Sequence, residues 1–498
     1  MIVKLAGYNV EADLLRDPGV VNRNVSTILT PETFSAAYAR ISRSAKDIIS
    51  LRRDARKDVE TARKSNRAII FEMGHHSVAE HAVFNFDIIG VSRLALEEIE
   101  QFRLVSYTEK SQRYVTLKGD YVLPAEIKDC ELQQLFKETV TLQNDFYSRT
   151  FNILEEYTFN KHPHMAGTHT GRNTLKGWAK EDARYILSLA TEGQVGMTIN
   201  ARNLEHLFRK FHLSRWNEVR EIGARMHEQV VQIAPSIFLF SQPSQFSQDL
   251  KHTFKDNFTS IPAGEKLPDR ALQLLHYTEN GDDIILASFL STFHAQDYTW
   301  SLDVIKNMGT TEKERIYKNL FKNIEFFDTM PREFEMVDIA FQAVISASNF
   351  AQLKRHRIAT LLPGNYDIRF GCVIPESIKV NGLEKEFLEI IDKTNNVHLK
   401  LKEIYGDAAD YILTNSHCRK VIMKMNLREV YHFIRLRDDD HAQWEIRELA
   451  HQLLQQIKPL MPLATMMLCG KSDFVNRFEC IYQQKPKLII ASGGQKPF

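Results

Sequence analysis

Two stretches of this chain keep the same landmarks in step. In EDARYILSLATEGQVGMTINARNLEHLFRKF (181–211) and GDAADYILTNSHCRKVIMKMNLREVYHFIRLR (406–437), Tyr185-Ile186-Leu187 answers to Tyr411-Ile412-Leu413, and Asn200-Ala201-Arg202 to Asn426-Leu427-Arg428, both at an offset of 226. Upstream, DYVLPAEI (120–127) resembles GCVIPESI (371–378), and the opening VKLAGYN resembles LQLLHYT (272–278). Matches that stay in order point to a tandem duplication, and a repeat decides the architecture before any motif does. The copies run over 1–245 and 271–498, joined by a polar, Pro- and Ser-containing stretch, 246–270, with the weak periodicity of a linker. The first copy is longer: Pro124 to Tyr185 spans 61 positions, Pro375 to Tyr411 only 36. The surplus falls at about 158–181, near FNKHPHMAGTHTGRNTLKGWAK, and reads as a polar surface insertion. Its His162, His164 and His169 have no carboxylate or cysteine at ligand spacing, so no metal is expected.

Within each copy a short alternating strand comes first, followed by helices such as ETFSAAYARISRSAKDIISLRRDARKDVETARKS, with apolar residues three and four apart. A strand follows (VFNFDIIG; EMVDIAF), then a helix, a loop, and two or three further helices, the last of which, HAQWEIRELAHQLLQQIKPLMP, stops at proline. The fold class is α+β: two tandem copies, each a small sheet with a helix-rich second part. With 64 basic against 63 acidic residues the chain has no general field for nucleic acid or membrane surfaces, so any anion recognition must be local. Five scattered cysteines without a CxxC pair indicate reduced thiols and a cytoplasmic location. No window approaches the roughly 18 apolar residues of a membrane span, and the N-terminus lacks a signal-peptide pattern.

Two polar clusters carry the chemistry. The second copy has Lys354-Arg355-His356-Arg357 directly after a helical stretch. The first has GHHSVAEHAVFNF (74–86), then GVSRLALEEIEQFRLVSYTEKSQRY (90–114), whose SYTEKSQRY turn can offer a hydroxyl, backbone N–H groups and a guanidinium to one anion. The order GHxSxxEHxxFxF, GVSR, SxxExSxRY resembles the flavin-dependent thymidylate synthases, and NLREVYHFIRLRDDDHAQWEIRELA (426–450) is similar to that family's C-terminal helical signature. The resemblance implies homotetramers that hold FAD and deoxyuridylate where subunits meet. It also implies methylenetetrahydrofolate as carbon donor and a reduced nicotinamide, NADPH, as reductant. The family hallmark is Arg-His-Arg followed by an SxxExSxR loop.

Here the hallmark is split. The first copy has Gln101-Phe102-Arg103 in place of Arg-His-Arg, and Glu98 in place of a nucleotide-binding Gln, but keeps Ser106, Glu109, Ser111 and Arg113. The second keeps Gln352 and Arg355-His356-Arg357, but its loop reads Thr360, Pro363, Asn365, Asp367, and its GHxSxxEH segment has become DTMPREFE. An aspartate in place of the phosphate-binding arginine would repel a phosphate. By the resemblance, one composite site takes Gln352, Arg355 and Arg428 from the second copy and Glu109, Ser111 and Arg113 from the first, around the nucleotide. Its flavin side takes Arg355, His356, Arg357 and the backbone near Trp444, Glu445 and Ile446 with Ser77 and Glu109, and His75 nearby. Three arginines suit a phosphate dianion in a neutral protein. The assembly implied is a homodimer mimicking the family tetramer, with two working sites and two dead ones.

The resemblance places a base-contacting arginine ten residues after the Glu of an E-I/V-R motif. That count lands on Glu228 in the first copy and Gln455 in the second, with Arg225 one turn before Glu228. The catalytic candidates are thus Arg225, Glu228 and His75. The function implied is FAD-dependent transfer and reduction of a one-carbon unit onto C5 of a pyrimidine nucleotide, dUMP to dTMP. The alternatives are a related C5 modification of another pyrimidine nucleotide, such as hydroxymethylation, and a flavin- or nucleotide-binding homologue without turnover.

Overall fold

The computed structural model describes residues 1–15, 30–258, 261 and 271–486. It divides into two compact units, one of Met1–Glu265 with Ile374–Asn415, the other of Lys266–Val373 with Ser416–Phe498. Each carries a four-stranded antiparallel sheet of the same topology. In the first unit β1 (Ile2–Tyr8), β2 (Val83–Ser92), β3 (Val105–Glu109) and β4 (Glu192–Asn200) lie in the order β1-β2-β4-β3. In the second, β5 (Gln273–Tyr277), β6 (Asp338–Ser346), β7 (Thr360–Tyr366) and β8 (Cys418–Asn426) lie in the order β5-β6-β8-β7. The repeated sheets confirm the duplicated α+β architecture.

Alternation explains the strands. Phe84, Phe86 and Ile88 on β2 are buried while Asn85, Asp87 and Ile89 face out. Phe86 stands opposite Met197 on β4, and Phe341 opposite Met423 on β8. The register of β2 slips between Ile89 and Val91, and Gly90 there takes φ +71°. Gly90 is the extra residue of a bulge: β2 has 10 residues where β6 has 9.

The stretch read as helical between β1 and β2 is three helices, Glu32–Ile41, Ile48–Lys57 and Val59–Arg67. Two of the starts are set by aspartates: Asp47 accepts from Ser50 N–H at 3.0 Å and Asp58 from Thr61 N–H at 2.9 Å. The structure differs from the sequence reading at three places. The segment before the closing helices is a central strand in each copy, β4 and β8, paired along its whole length with β2 and β6. The start of the SYTEKSQRY turn is strand β3, which carries Ser106 and Glu109. The insertion is a helical hairpin. Helix Cys130–Lys161 runs on to Pro163–Ala166 and His169–Ala183, and the last of these buries Leu175, Ala179 and Ala183, so apolar packing tethers what composition made look like a surface loop. The linker begins as a helix, Gln245–Phe258, and 259–260 and 262–270 of it lie outside the described residues.

In the first unit, segments from both copies meet. Leu189 N–H donates to the Leu413 carbonyl at 2.7 Å, and Asn415 N–H donates to the Leu187 carbonyl at 2.9 Å, around a bridge between Ser188 and Thr414. The bridged residues Ser188 and Thr414 are themselves counterparts at the offset of 226, and the same offset turns one hydrogen bond into the other, Leu187 answering to Leu413 and Leu189 to Asn415. Helix Glu384–Tyr405 packs beside Cys130–Lys161, with Gln143 donating to Thr394 at 2.9 Å and Phe146 against Phe387.

A serine–glutamate clamp recurs in both units. Ser92 caps helix Arg93–Ile99 by accepting from Ala95 N–H, while its N–H and hydroxyl donate to Glu218 at 2.8 and 2.6 Å. Ser346 caps Ala347–Leu353 in the same way and donates to Glu445. Tyr411 adds a third donor to Glu218 at 2.9 Å, and burial pushes the Glu218 carboxyl up against these hydrogen bonds. Glu218→Ala strands the buried Ser92 donors and is expected to cost about 2–4 kcal/mol, against about 1 kcal/mol for Tyr411→Phe. Urea midpoints check both, and equal, negligible shifts would show that the clamp does not hold the helix start.

Candidate functional site

The best-defined cluster lies in the second unit. Helix Ala347–Leu353 ends in a turn in which His356 N–H donates to the Leu353 carbonyl, so His356 points inward while Arg355 and Arg357 are exposed on this chain. The imidazole is 3% exposed and rests against Phe433, ring centroids 4.8 Å apart, and His432 at 5.6 Å. Its Nδ1 lies 3.3 Å from Glu429 Oε1, and its Nε2 accepts from Arg437 Nε at 2.9 Å. Arg437 Nη2 also donates to the Gln352 carbonyl at 3.4 Å. Gln352 is buried, its amide 3.4 Å from Gln443 Oε1, and Gln443 caps helix Trp444–Ile457. Burial, then the neighbouring Arg437 and His432, hold the His356 pKa well below the usual histidine range. Burial likewise raises the Glu429 carboxyl, opposed by His432 and Arg428.

Beside this cluster opens a cavity of about 720 Å³ whose walls include Phe326, Phe327, Ile358, Tyr431, Arg428 and Lys471. Arg428 forms an ion pair with Glu335 at 2.5 Å, which holds the Glu335 carboxyl below the usual range, helped by Arg332. Glu80 and Arg202 make the corresponding pair in the first unit, so DTMPREFE keeps this glutamate although the surrounding motif has changed. The Glu445 side chain is taken up in the clamp on Ser346, at the start of the helix headed by Trp444, with Ile446 buried beneath.

In the first unit, the loop after β3 is fastened from behind. Ser111 Oγ accepts from Arg113 N–H at 3.1 Å, and buried Gln112 accepts from Asn415 at 3.2 Å. Arg113 is ion-paired with Glu181, which comes from the insertion helix. Glu181 is buried, which raises its carboxyl pKa against the pull of Arg113 and Arg184, and the same burial lowers that of Arg184. His75 and Ser77 are exposed, at the start of the short helix His76–His81. Arg225 is paired with Glu221 and donates to the Met1 carbonyl. Glu228 lines a separate cleft of about 270 Å³ with Phe208, His212 and His227, and no residue of 109–113 lines it.

Sequence reasoning missed Arg437, Glu429 and Glu181. The signal for the first two was present: Glu429, Phe433 and Arg437 recur every four residues, placing two charges on a face that also carries a buried phenylalanine. Among the described residues no group of three or more His, Cys, Asp or Glu side chains could hold a metal, and no helix is long and apolar enough to cross a membrane.

A buried neutral imidazole has a consequence for stability. The unfolded chain takes up a proton at His356 near pH 6.5 and the folded chain resists it, so stability is full above that pH and declines as pH falls below it. One such group contributes a slope of at most about 1.4 kcal/mol per pH unit. Denaturation of the parent and of His356→Gln between pH 7.5 and 5 should show a flatter acid slope in the variant, and parallel slopes would contradict a buried neutral ring.

Comparison with known proteins agrees with the repeated architecture. The family model described as thymidylate synthase complementing protein matches twice, over residues 25–236 and 273–463. The UPF0159 protein Ta1429 of Thermoplasma acidophilum is 26% identical over 447 residues, covering 82% of this chain and 88% of the relative. A flavin-dependent thymidylate synthase of Clostridium tetani is 30% identical over 220 residues, covering 43% of this chain and 83% of the relative. One of Geobacter sulfurreducens is 32% identical over 219 residues, with the same two coverages. The long relative spans both copies and the shorter ones match less than half the chain. With both of its repeats matched by one model, the chain belongs to the thymidylate synthase complementing protein family.

Proposed function

We propose that this chain is a flavin-dependent, thymidylate synthase-like methyltransferase that transfers and reduces a one-carbon unit onto C5 of a pyrimidine nucleotide, converting dUMP to dTMP. Methylenetetrahydrofolate is the carbon donor and NADPH the reductant. The observation that carries this reading is the complementary loss between the copies: the second retains the packed Arg-His-Arg turn, the first the fastened loop bearing Arg113. In the proposed composite site Gln352, Arg355, Arg357 and Arg428 act with Ser77, Glu109, Ser111 and Arg113. A cavity of about 720 Å³ with aromatic walls, lined by Arg428, Arg435 and Lys471 together with Asp328, Glu335 and Glu429, has the size and apolar surface for a large, flat cofactor such as FAD. When bound, reduced flavin supplies the hydride.

The protein's own contribution is orientation and charge. Arg355 and Arg357, exposed on either side of the buried His356, present two guanidinium groups from one rigid turn. Arg113, backed by Glu181, offers a third whose direction is already set, which lowers the entropy lost when a phosphate is gripped. Arg437, which shares the Gln352 and His356 cluster, joins Arg225, Glu228 and His75 as a candidate beside the base. The working assembly is a cytoplasmic homodimer with two composite sites.

Titration with FAD should give two flavins per dimer, and four would rule out the split-site arrangement. Arg355→Ala removes an exposed side chain and should weaken dUMP binding at least tenfold, about 1.4 kcal/mol or more, while Gln101→Ala should do little. NADPH oxidation that the parent accelerates only with dUMP supports turnover; oxidation indifferent to dUMP argues against it.

A further inference from the structure

The surroundings of the His356 imidazole differ between the copies in a concerted way. At an offset of 226, Glu429, Phe433 and Arg437 correspond to Asn203, Leu207 and Phe211, and at the offset that relates Ser346 to Ser92, His356 corresponds to Phe102. In the first unit Phe102 packs edge-on against Phe211, ring centroids 5.8 Å apart, with His206 at 5.9 Å. His432, the counterpart of His206, flanks His356 at 5.6 Å. The geometry is therefore conserved while the contact has changed kind. Where one copy has Glu–His–Arg, the other has Asn–Phe–Phe.

We infer that Glu429 is a positioning residue that fixes His356 as its Nδ1–H tautomer, and thereby orients Arg437; this rests on the reading that the Arg-His-Arg copy supplies the ligand-binding turn. The hydrogen bond from Arg437 Nε ends on His356 Nε2, so that nitrogen is the acceptor and carries no proton. The proton of the neutral ring is then on Nδ1, 3.3 Å from Glu429 Oε1; neither of these buried atoms has a hydrogen-bond partner among the described residues, so the contact is one of charge and proximity and not an aligned hydrogen bond. Glu429 and Arg437 lie on one helix, Leu427–Arg437, two turns apart, so a single rigid element hydrogen-bonds one edge of the ring and sets a carboxyl beside the other. Arg437 Nε is fixed by His356 and Nη2 by the Gln352 carbonyl, which together set the guanidinium plane. Removing Glu429 takes away the carboxyl beside Nδ1 and weakens the preference for this tautomer, so that the other can be populated. Nε2 then carries hydrogen, opposes Arg437 Nε–H, and the guanidinium must turn away.

The test uses the full-length chain. With ¹⁵N-histidine labelling and His356→Gln to assign the signal, the parent should show protonated Nδ1 and bare Nε2. Glu429→Asn, the residue of the other copy, should lose that pattern, and the conservative Glu429→Gln should largely restore it. dUMP affinity should fall at least tenfold in Glu429→Asn and recover in Glu429→Gln. A parent ring protonated at Nε2, or a tautomer indifferent to Glu429→Asn, overturns the inference. Melting provides a second arm: the combined variant Glu429→Asn, His356→Phe, Arg437→Phe installs the other copy's packing and should melt close to the parent. His356→Phe or Arg437→Phe alone should melt roughly 5 °C or more lower. Additive losses in the combined variant would equally sink the idea. If the parent binds neither FAD nor dUMP, the proposed function fails, while the tautomer and melting readouts still decide the role of Glu429.

Discussion

The architecture rests on an exchange of backbone hydrogen bonds in which Leu189 N–H reaches the Leu413 carbonyl and Asn415 N–H reaches the Leu187 carbonyl, across the bridge of Ser188 and Thr414. Because one hydrogen bond is the other's counterpart in the repeat, the contact is self-complementary, as in a two-fold dimer interface. The surrounding residues, Tyr185 to Ala190 and Tyr411 to Leu413, are almost wholly buried. Neither copy can satisfy these backbone groups without the other, and an unpaired buried N–H or C=O costs on the order of 1–3 kcal/mol. Folding therefore constrains both copies equally, and one copy cannot decay into disorder while its twin works. Binding residues escape that constraint, which is the condition under which complementary losses can accumulate.

The residues that stayed and those that changed divide along this line. Kept in both copies are the serine–glutamate clamps, Ser92 with Glu218 and Ser346 with Glu445, and the surface pairs Glu80–Arg202 and Glu335–Arg428. Sheet order is identical too. What differs lies at the ends of these supports: the turn after the capped helix, and the loop after the edge strand. Under the proposed function, each copy holds a scaffold for a complete site and furnishes only part of it.

The duplication was legible because its offset is held by rigid elements: β4 and β8 have equal lengths and run into helices capped alike by Asn200 and Asn426. The Arg-His-Arg turn and the Arg113 loop were legible because their residues are adjacent in sequence. Arg437 was not, because its partner His356 is 81 positions away and only packing brings them together. Counting residues from a motif pointed to Glu228, on helix Asn217–Ile233, and such a count carries no information about packing. The insertion misled for a related reason. Its polar composition reflects its outer face, whereas Leu175, Ala179 and Glu181, on the buried side, tie it to the fold and to Arg113.

Energetics explains why the polar trio around His356 survives in one copy only. Burying a histidine, a glutamate and part of an arginine incurs desolvation that hydrogen bonds at best offset, and apolar replacements of similar size are often as stable or more so. The first copy displays that replacement: Phe102 on Phe211 fills the same position with an edge-to-face contact worth about 0.5–1.5 kcal/mol beyond the area it buries. Stability alone would favour the aromatic version in both places. That the polar version persists beside the intact Arg-His-Arg turn, in the copy that also keeps Gln352, means that the cost is offset by something other than folding. The task such a buried network performs best is to hold a guanidinium in one orientation before the ligand arrives.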